Sequence, residues 1–169
     1  MTQDVSKLEK QATKEGAKLG MDLTGAAELG GTEFFVTTCQ GAEGNLEVLI
    51  KATEALKEEC TIVGVLLLSA GKDLACVCIV PEDKAEQIAA DFWLTTAIKA
   101  LGGEIDAESA SKTFAKALIT PQVGEFAIKL KDAVLAAGVQ LLREKGKIPD
   151  DSDNSDDEIC YGDDDLGNW

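Results

Sequence analysis

A chain of 169 residues with 45% hydrophobic side chains suffices for one domain with a buried core. With only 5% aromatic residues, Val, Ile, Leu and Ala must fill most of that core. The absence of histidine removes the commonest general base, the Ser–His and Cys–His nucleophile pairs and every imidazole-containing zinc set. A net charge of −15, from 31 acidic against 16 basic side chains, opposes general binding to phosphate backbones.

Residues 4–20 predict a loosely docked helix, because Val5, Leu8 and Ala12 give only a narrow apolar stripe. Gly25, Gly30 and Gly31 then mark an irregular connection. Glu33 to Cys39 is aromatic and β-branched and reads as a strand. Asn45 is the N-cap of a helix to about Glu59, with Leu46, Leu49, Ile50, Thr53 and Leu56 on its apolar face. Thr61 to Ser69 is a continuous apolar run suited to a strand buried on both faces. After the turn Ala70-Gly71-Lys72-Asp73, Leu74 to Val80 makes a third strand, so the two runs predict a hairpin in a mixed sheet.

Pro81 opens a long predicted helix to about Leu101, stopped by Gly102-Gly103. Beyond it come a loop and a short predicted helix around Ser111 to Ile119. Pro121 starts the last helix, with Val123, Phe126, Leu130, Val134, Ala137 and Leu141 at helical spacing. Nine of the acidic residues and no Lys or Arg fall in 150–169, a segment too polar to order itself. The expected organisation is an N-terminal helix and loop (1–31), an α/β domain (32–147) with a mixed sheet of three or more strands packed by helices, and a disordered acidic tail (148–169).

Several motifs have simple readings. Gly64 to Lys72 has the wrong spacing for a phosphate loop, and Asp73 stands where Ser or Thr is needed, so it is a hairpin turn. Cys76 and Cys78 alternate with Ala75, Val77 and Ile79, which puts both thiols on one face of a strand as packing. Five cysteines without a CxxC pair suit a reducing compartment, and no run reaches the ~18 apolar residues of a membrane span. The expectation is a cytoplasmic protein without membrane, metal or cofactor. In the tail, Ser155 precedes Asp156, Asp157 and Glu158, a pattern for an acid-directed kinase. Ile159, Tyr161, Leu166 and Trp169 stand among acids as candidate anchors for a protein partner with a basic surface.

Residues 60–103 carry a family resemblance. The ordered combination of Cys76-Val77-Cys78, Val80-Pro81, Trp93 within Ala90-Asp91-Phe92-Trp93, and Gly102-Gly103 is similar to the C-terminal, DHHA1-type domain of alanyl-tRNA synthetase. With the preceding strand and helix, the resemblance covers roughly residues 32–145. It implies a freestanding relative of a non-catalytic module, with tRNA or structured RNA as a possible ligand of Lys72, Lys99, Gly102, Gly103, Lys112 and Lys116. This chain departs from the family after Gly103, where Glu104 to Lys112 replaces a glycine-rich segment. The charge therefore favours a protein-binding subunit or adaptor of a larger assembly, with an RNA-binding accessory of translation as the alternative. The RNA alternative predicts that those lysines, with Lys129 and Lys131, share one surface.

Overall fold

The computed structural model describes residues 2–30, 33–101, 105–106, 108 and 110–146. Four helices and four strands follow one another as α1 (Thr2–Gly30), β1 (Phe34–Thr38), α2 (Leu46–Glu59), β2 (Gly64–Ala70), β3 (Leu74–Ile79), α3 (Ala90–Ile98), β4 (Phe114–Ile119) and α4 (Ala127–Glu144). The strands lie in sequence order, with β1 parallel to β2 and the β2–β3 and β3–β4 pairs antiparallel. This is the mixed α/β sheet the sequence predicts, extended by one strand.

Alternation along the strands assigns the two faces. Leu66, Leu68, Leu74, Cys76, Cys78, Ala115 and Ala117 pack against α3 and α4 around Trp93. Val65, Leu67, Ala75, Val77 and Ile79 face the other way, against Val48, Leu49, Ala52 and Leu56 of α2. Every residue of β3 is buried, as expected for a run apolar on both faces. α2 begins as expected: the Asn45 side chain accepts from the Val48 amide at 3.2 Å.

Four sequence expectations are overturned. The first is α1, which runs unbroken through Gly25 to Gly30 and is closely docked on α2. A Cβ at Gly16 would lie 2.1 Å from the Ala52 carbonyl oxygen, and one at Gly20 2.6 Å from that of Leu56. Backbone proximity replaces the wide apolar stripe that the docking was expected to need.

Second, the helix expected from Pro81 starts only at Ala90. Residues 81–88 form successive turns, closed by bonds such as Lys84 N–H to the Pro81 oxygen at 2.9 Å, and Ala89 is extended. The first α3 amides are drawn elsewhere: Ala90 donates to the Lys112 carbonyl at 2.7 Å and Asp91 to that of Ser111 at 3.2 Å.

Third, the short helix expected at 111–119 is strand β4. Its Ala, Lys and Leu residues favour helix by propensity. The exposed backbone edge of β3 requires partners, and β4 supplies them in register, with Ile79 opposite Phe114 and Leu74 opposite Ile119.

Fourth, α4 starts at Ala127 and not at Pro121. Gly124 has φ of +87°, which no helix accommodates, and Glu125 N–H closes a turn onto the Gln122 oxygen. Leu130, Val134 and Leu141 are buried as expected, whereas Val123 and Phe126 are exposed.

Candidate binding surface at the turn end of the sheet

The carboxyl ends of β1 and β2, the β2–β3 turn, the end of β4 and the start of α4 come together at one end of the sheet. Two close backbone approaches hold this end. Gly44, at φ +79°, donates its amide to the buried Ser69 hydroxyl at 2.9 Å, and a Cβ at Gly71 would lie 1.9 Å from the Glu43 carbonyl oxygen. Only glycine at both positions lets the loop after β1 seat against the hairpin turn.

Three clefts open around that turn. The largest, about 580 Å³, lies between Leu8 of α1, Leu46 of α2, Leu118 of β4 and the turn residues Lys72 and Asp73. A second, about 340 Å³, shares Lys72 and Asp73 and continues to Pro121, Glu125 and Phe126. The third, about 260 Å³, is bordered by Ala70, Cys39, Ile128 and Lys131. Leu118, Val123, Phe126 and Ile128, four of the large exposed hydrophobic residues, lie in this region. Lys72, Lys129, Lys131, Glu43, Glu47, Asp73 and Glu125 supply charge of both signs nearby.

The lysines do not form one surface. Lys72 sits at the turn beside Leu74, whereas Lys112 precedes Phe114 at the opposite end of β3, about 17 Å away at the rise of a strand. Lys99 follows the last residue of α3 and Lys112 bonds to the first, so that helix, about 13 Å long, separates them. Lys116 pairs with Asp106 at 3.6 Å. Lys131 is the member that joins Lys72 around the turn. Gly102, Gly103, Ser155, Ile159, Tyr161, Leu166 and Trp169 lie outside the described residues.

The thiols behave as core groups. Burial pushes Cys76 up to about 12 and raises Cys78 well above the ordinary thiol value. Cys39 is also pushed up to about 12, by burial first and then by the Glu15 carboxylate. Protonated at neutral pH, these sulfurs are poor nucleophiles and poor metal ligands. Among the described residues, no group of three or more Cys, Asp and Glu is placed to hold a metal ion, and no helix is long and apolar enough to cross a membrane.

Sequence reasoning missed Leu118, Phe126 and Ile128 as surface residues: it read the segment of Leu118 as a short helix, placed Phe126 on the apolar face of the last helix and singled out Ile128 for neither face. The signal available for Phe126 was Gly124: a glycine two residues before an aromatic marks a turn as readily as a helix interior.

The class these features define is a small α/β domain with a mixed four-stranded sheet covered by helices on both faces. No family model matches the chain, and no curated protein matches it. Among solved structures it is similar to the C-Ala domain of alanyl-tRNA synthetase from Aquifex aeolicus, with 19% identity and a TM-score of 0.39. The likeness covers 61% of this chain and 89% of that one.

Proposed function

We propose that this chain is a non-enzymatic, cytoplasmic binding module that docks a protein partner within a larger assembly through the turn end of its sheet. The observation that carries this reading is the placement of exposed Leu118, Phe126 and Ile128 around one turn, each bordering a cleft. Covering a side chain of that size contributes about 1.5–3 kcal/mol, so three of them in one contact supply useful affinity. The charges around them are of both signs, as at the rim of a protein interface. The acidic tail, with Ile159, Tyr161, Leu166 and Trp169, is the second element in this reading and adds contacts to a basic surface on the same partner.

The test is recovery from native lysate at about 0.1 M salt, where exposed charge contacts are partly screened. The full chain, a chain ending at Lys147 and the full chain carrying Phe126→Ser with Ile128→Ser are compared. The expected result is a defined protein partner retained by the full chain and lost by the double variant, with weaker retention by the shortened chain. Equal recovery by all three would remove both the surface and the tail.

The second reading, an RNA-binding accessory of translation, loses the single lysine surface it required and keeps only Lys72 and Lys131 bordering the same turn and the family resemblance of the motifs. It predicts recovered tRNA whose binding falls steeply with salt. Lys72→Ala with Lys131→Ala then flattens that salt dependence, while the Phe126→Ser and Ile128→Ser double variant leaves it unchanged.

A further inference from the structure

α1 forms a third layer. It packs on α2 and on the short turn Gln40–Ala42, outside the helix that itself covers the sheet. Its contact is close, with few large side chains for a helix of its length: Ala12, Gly16 and Gly20 meet the loop and α2, Leu23 is buried, Leu8 and Leu19 are half-buried, and Met21 and Leu29 point to solvent. Hydrophobic stabilisation follows apolar area, so this docking gains less from burial than that of α2, whose Leu49 and Leu56 are fully covered.

Two polar contacts add to it. Glu15 accepts two backbone amides of the loop after β1, from Gly41 to Oε1 at 2.8 Å and from Gln40 to Oε2 at 3.0 Å. The Thr24 hydroxyl, which lies 2.9 Å from the Gly20 carbonyl of its own helix, shares its hydrogen with the Glu59 carbonyl oxygen at the end of α2, 3.2 Å away. The Glu15 contact is the stronger type, because an ionised acceptor roughly doubles the strength of such bonds. The loop is shaped for it: a Cβ at Gly41 would come within 2.8 Å of Oε1. Directly behind this contact lies Cys39, fully buried and in the same cluster as Ala12.

We propose that α1 is a releasable arm, latched by the Glu15 carboxylate onto the Gln40 and Gly41 amides, which opens without unfolding the sheet and uncovers Cys39. Elements with little buried apolar surface open sub-globally at lower free energy than the core. Leu8 of α1 also walls the largest cleft at the turn end. Opening the arm therefore widens that cleft, and this consequence alone rests on the binding reading given above. The latch itself does not depend on any partner.

The experiment compares two thiols in one molecule. The full chain is exposed to N-ethylmaleimide under native conditions, and labelling of Cys39 and Cys76 is followed separately by mass spectrometry. Amide hydrogen exchange over residues 8–23 is followed in parallel, because it is blind to thiol reactivity. In the unaltered chain, Cys39 labels at least about 10-fold faster than Cys76, which lies in the opposite core, and the amides of residues 8–23 exchange at least about 10-fold faster than those of β3, which separates opening of α1 from entry through the cleft that Cys39 borders. In Glu15→Gln, Cys39 labelling and exchange of α1 amides both rise by about a further 10-fold, with Cys76 unchanged. Glu15→Asp, which keeps the charge but shortens the reach, falls between the two. Equal rates at Cys39 and Cys76 would show that α1 opens only with the whole fold and would overturn the proposal. Faster thiol labelling in Glu15→Gln without faster α1 exchange would assign the change to thiol chemistry and likewise overturn it. A variant that failed to fold would be recognised by Cys76 rising together with Cys39, and Glu15→Asp would then decide.

Discussion

Two helices stand on each side of the sheet, but α3 and α4 both lie on it whereas α1 lies outside α2, and the two sides are held in different ways. On the α3/α4 face, cohesion comes from volume. Trp93 is fully buried, meets Phe34 edge-on at 5.8 Å, and donates its indole N–H to the Gly138 carbonyl at 3.3 Å. On the α1/α2 face, α2 packs by ordinary leucine burial, but α1 is joined to it by backbone approach at Gly16 and Gly20. A face held by large side chains is sensitive to deletion of atoms. A layer held by close backbones is sensitive to their addition. The sheet, shared by both, is indifferent to which method covers it.

The strongest way to break that contrast is Trp93→Ala, which leaves a large cavity and removes the indole bond to Gly138. It is expected to cost about 3–5 kcal/mol in urea unfolding, with loss of cooperativity across both faces. A smaller loss would mean that α3 and α4 collapse into the space.

An alkaline titration addresses the same face. The folded-state value of Cys76 lies above the ordinary thiol value of 9.0, at about 12. Below pH 9 both folded and unfolded thiols are protonated, and this contribution to stability is complete. Between about pH 9 and 12 only the unfolded thiol ionises, so stability falls by up to about 1.4 kcal/mol per pH unit for this group. Urea midpoints measured across that window, with Cys76→Ala as reference, should show the slope reduced in the variant.

Gly16→Ala sharpens the contrast from the other side. The added Cβ meets the Ala52 backbone, which cannot turn aside, so α1 must shift, at a cost of about 1–3 kcal/mol. At Gly138, on the opposite face, the obstruction is the end of the Leu66 side chain, 2.7 Å from the ideal Cβ. A leucine methyl can move, so Gly138→Ala should cost less than Gly16→Ala. Thermal melts of the two variants, with hydrogen exchange over α1, compare them. Equal costs would refute the division between backbone and side-chain contact.

Asn45→Ala removes an N-cap that serves α2 on the leucine-packed side. About 1 kcal/mol is expected, read as a lower urea midpoint with an unchanged slope. Smallest of all, Phe126→Ser should change stability by less than about 0.5 kcal/mol, because that ring is exposed. A large loss there would show that the residue belongs to the core and not to a binding surface.

Much of this architecture was legible in the sequence. Periodicity and turn chemistry are local, and they placed β1, α2, β2 and β3 within a few residues, including the Asn45 cap and the common face of Cys76 and Cys78. Where the sequence misled, the deciding interaction was distant. Residues 114–119 look helical until the open edge of β3 claims their amides. Residues 81–89 look helical until the start of α3 is tied to the segment leading into β4. The binding surface was hidden for the same reason, since Leu118 and Phe126 are exposed only because neither of their segments is the helix its composition suggests.

Composition and charge by themselves determined that the chain is aliphatic in its interior, acidic in net charge and without imidazole chemistry, because those properties are sums over residues and need no geometry. The docking of α1 could be decided only by tertiary structure. Glycine gives no hydrophobic signal, and its value at positions 16 and 20 lies in how closely a second helix can approach, a distance that exists only once α2 is packed on the sheet.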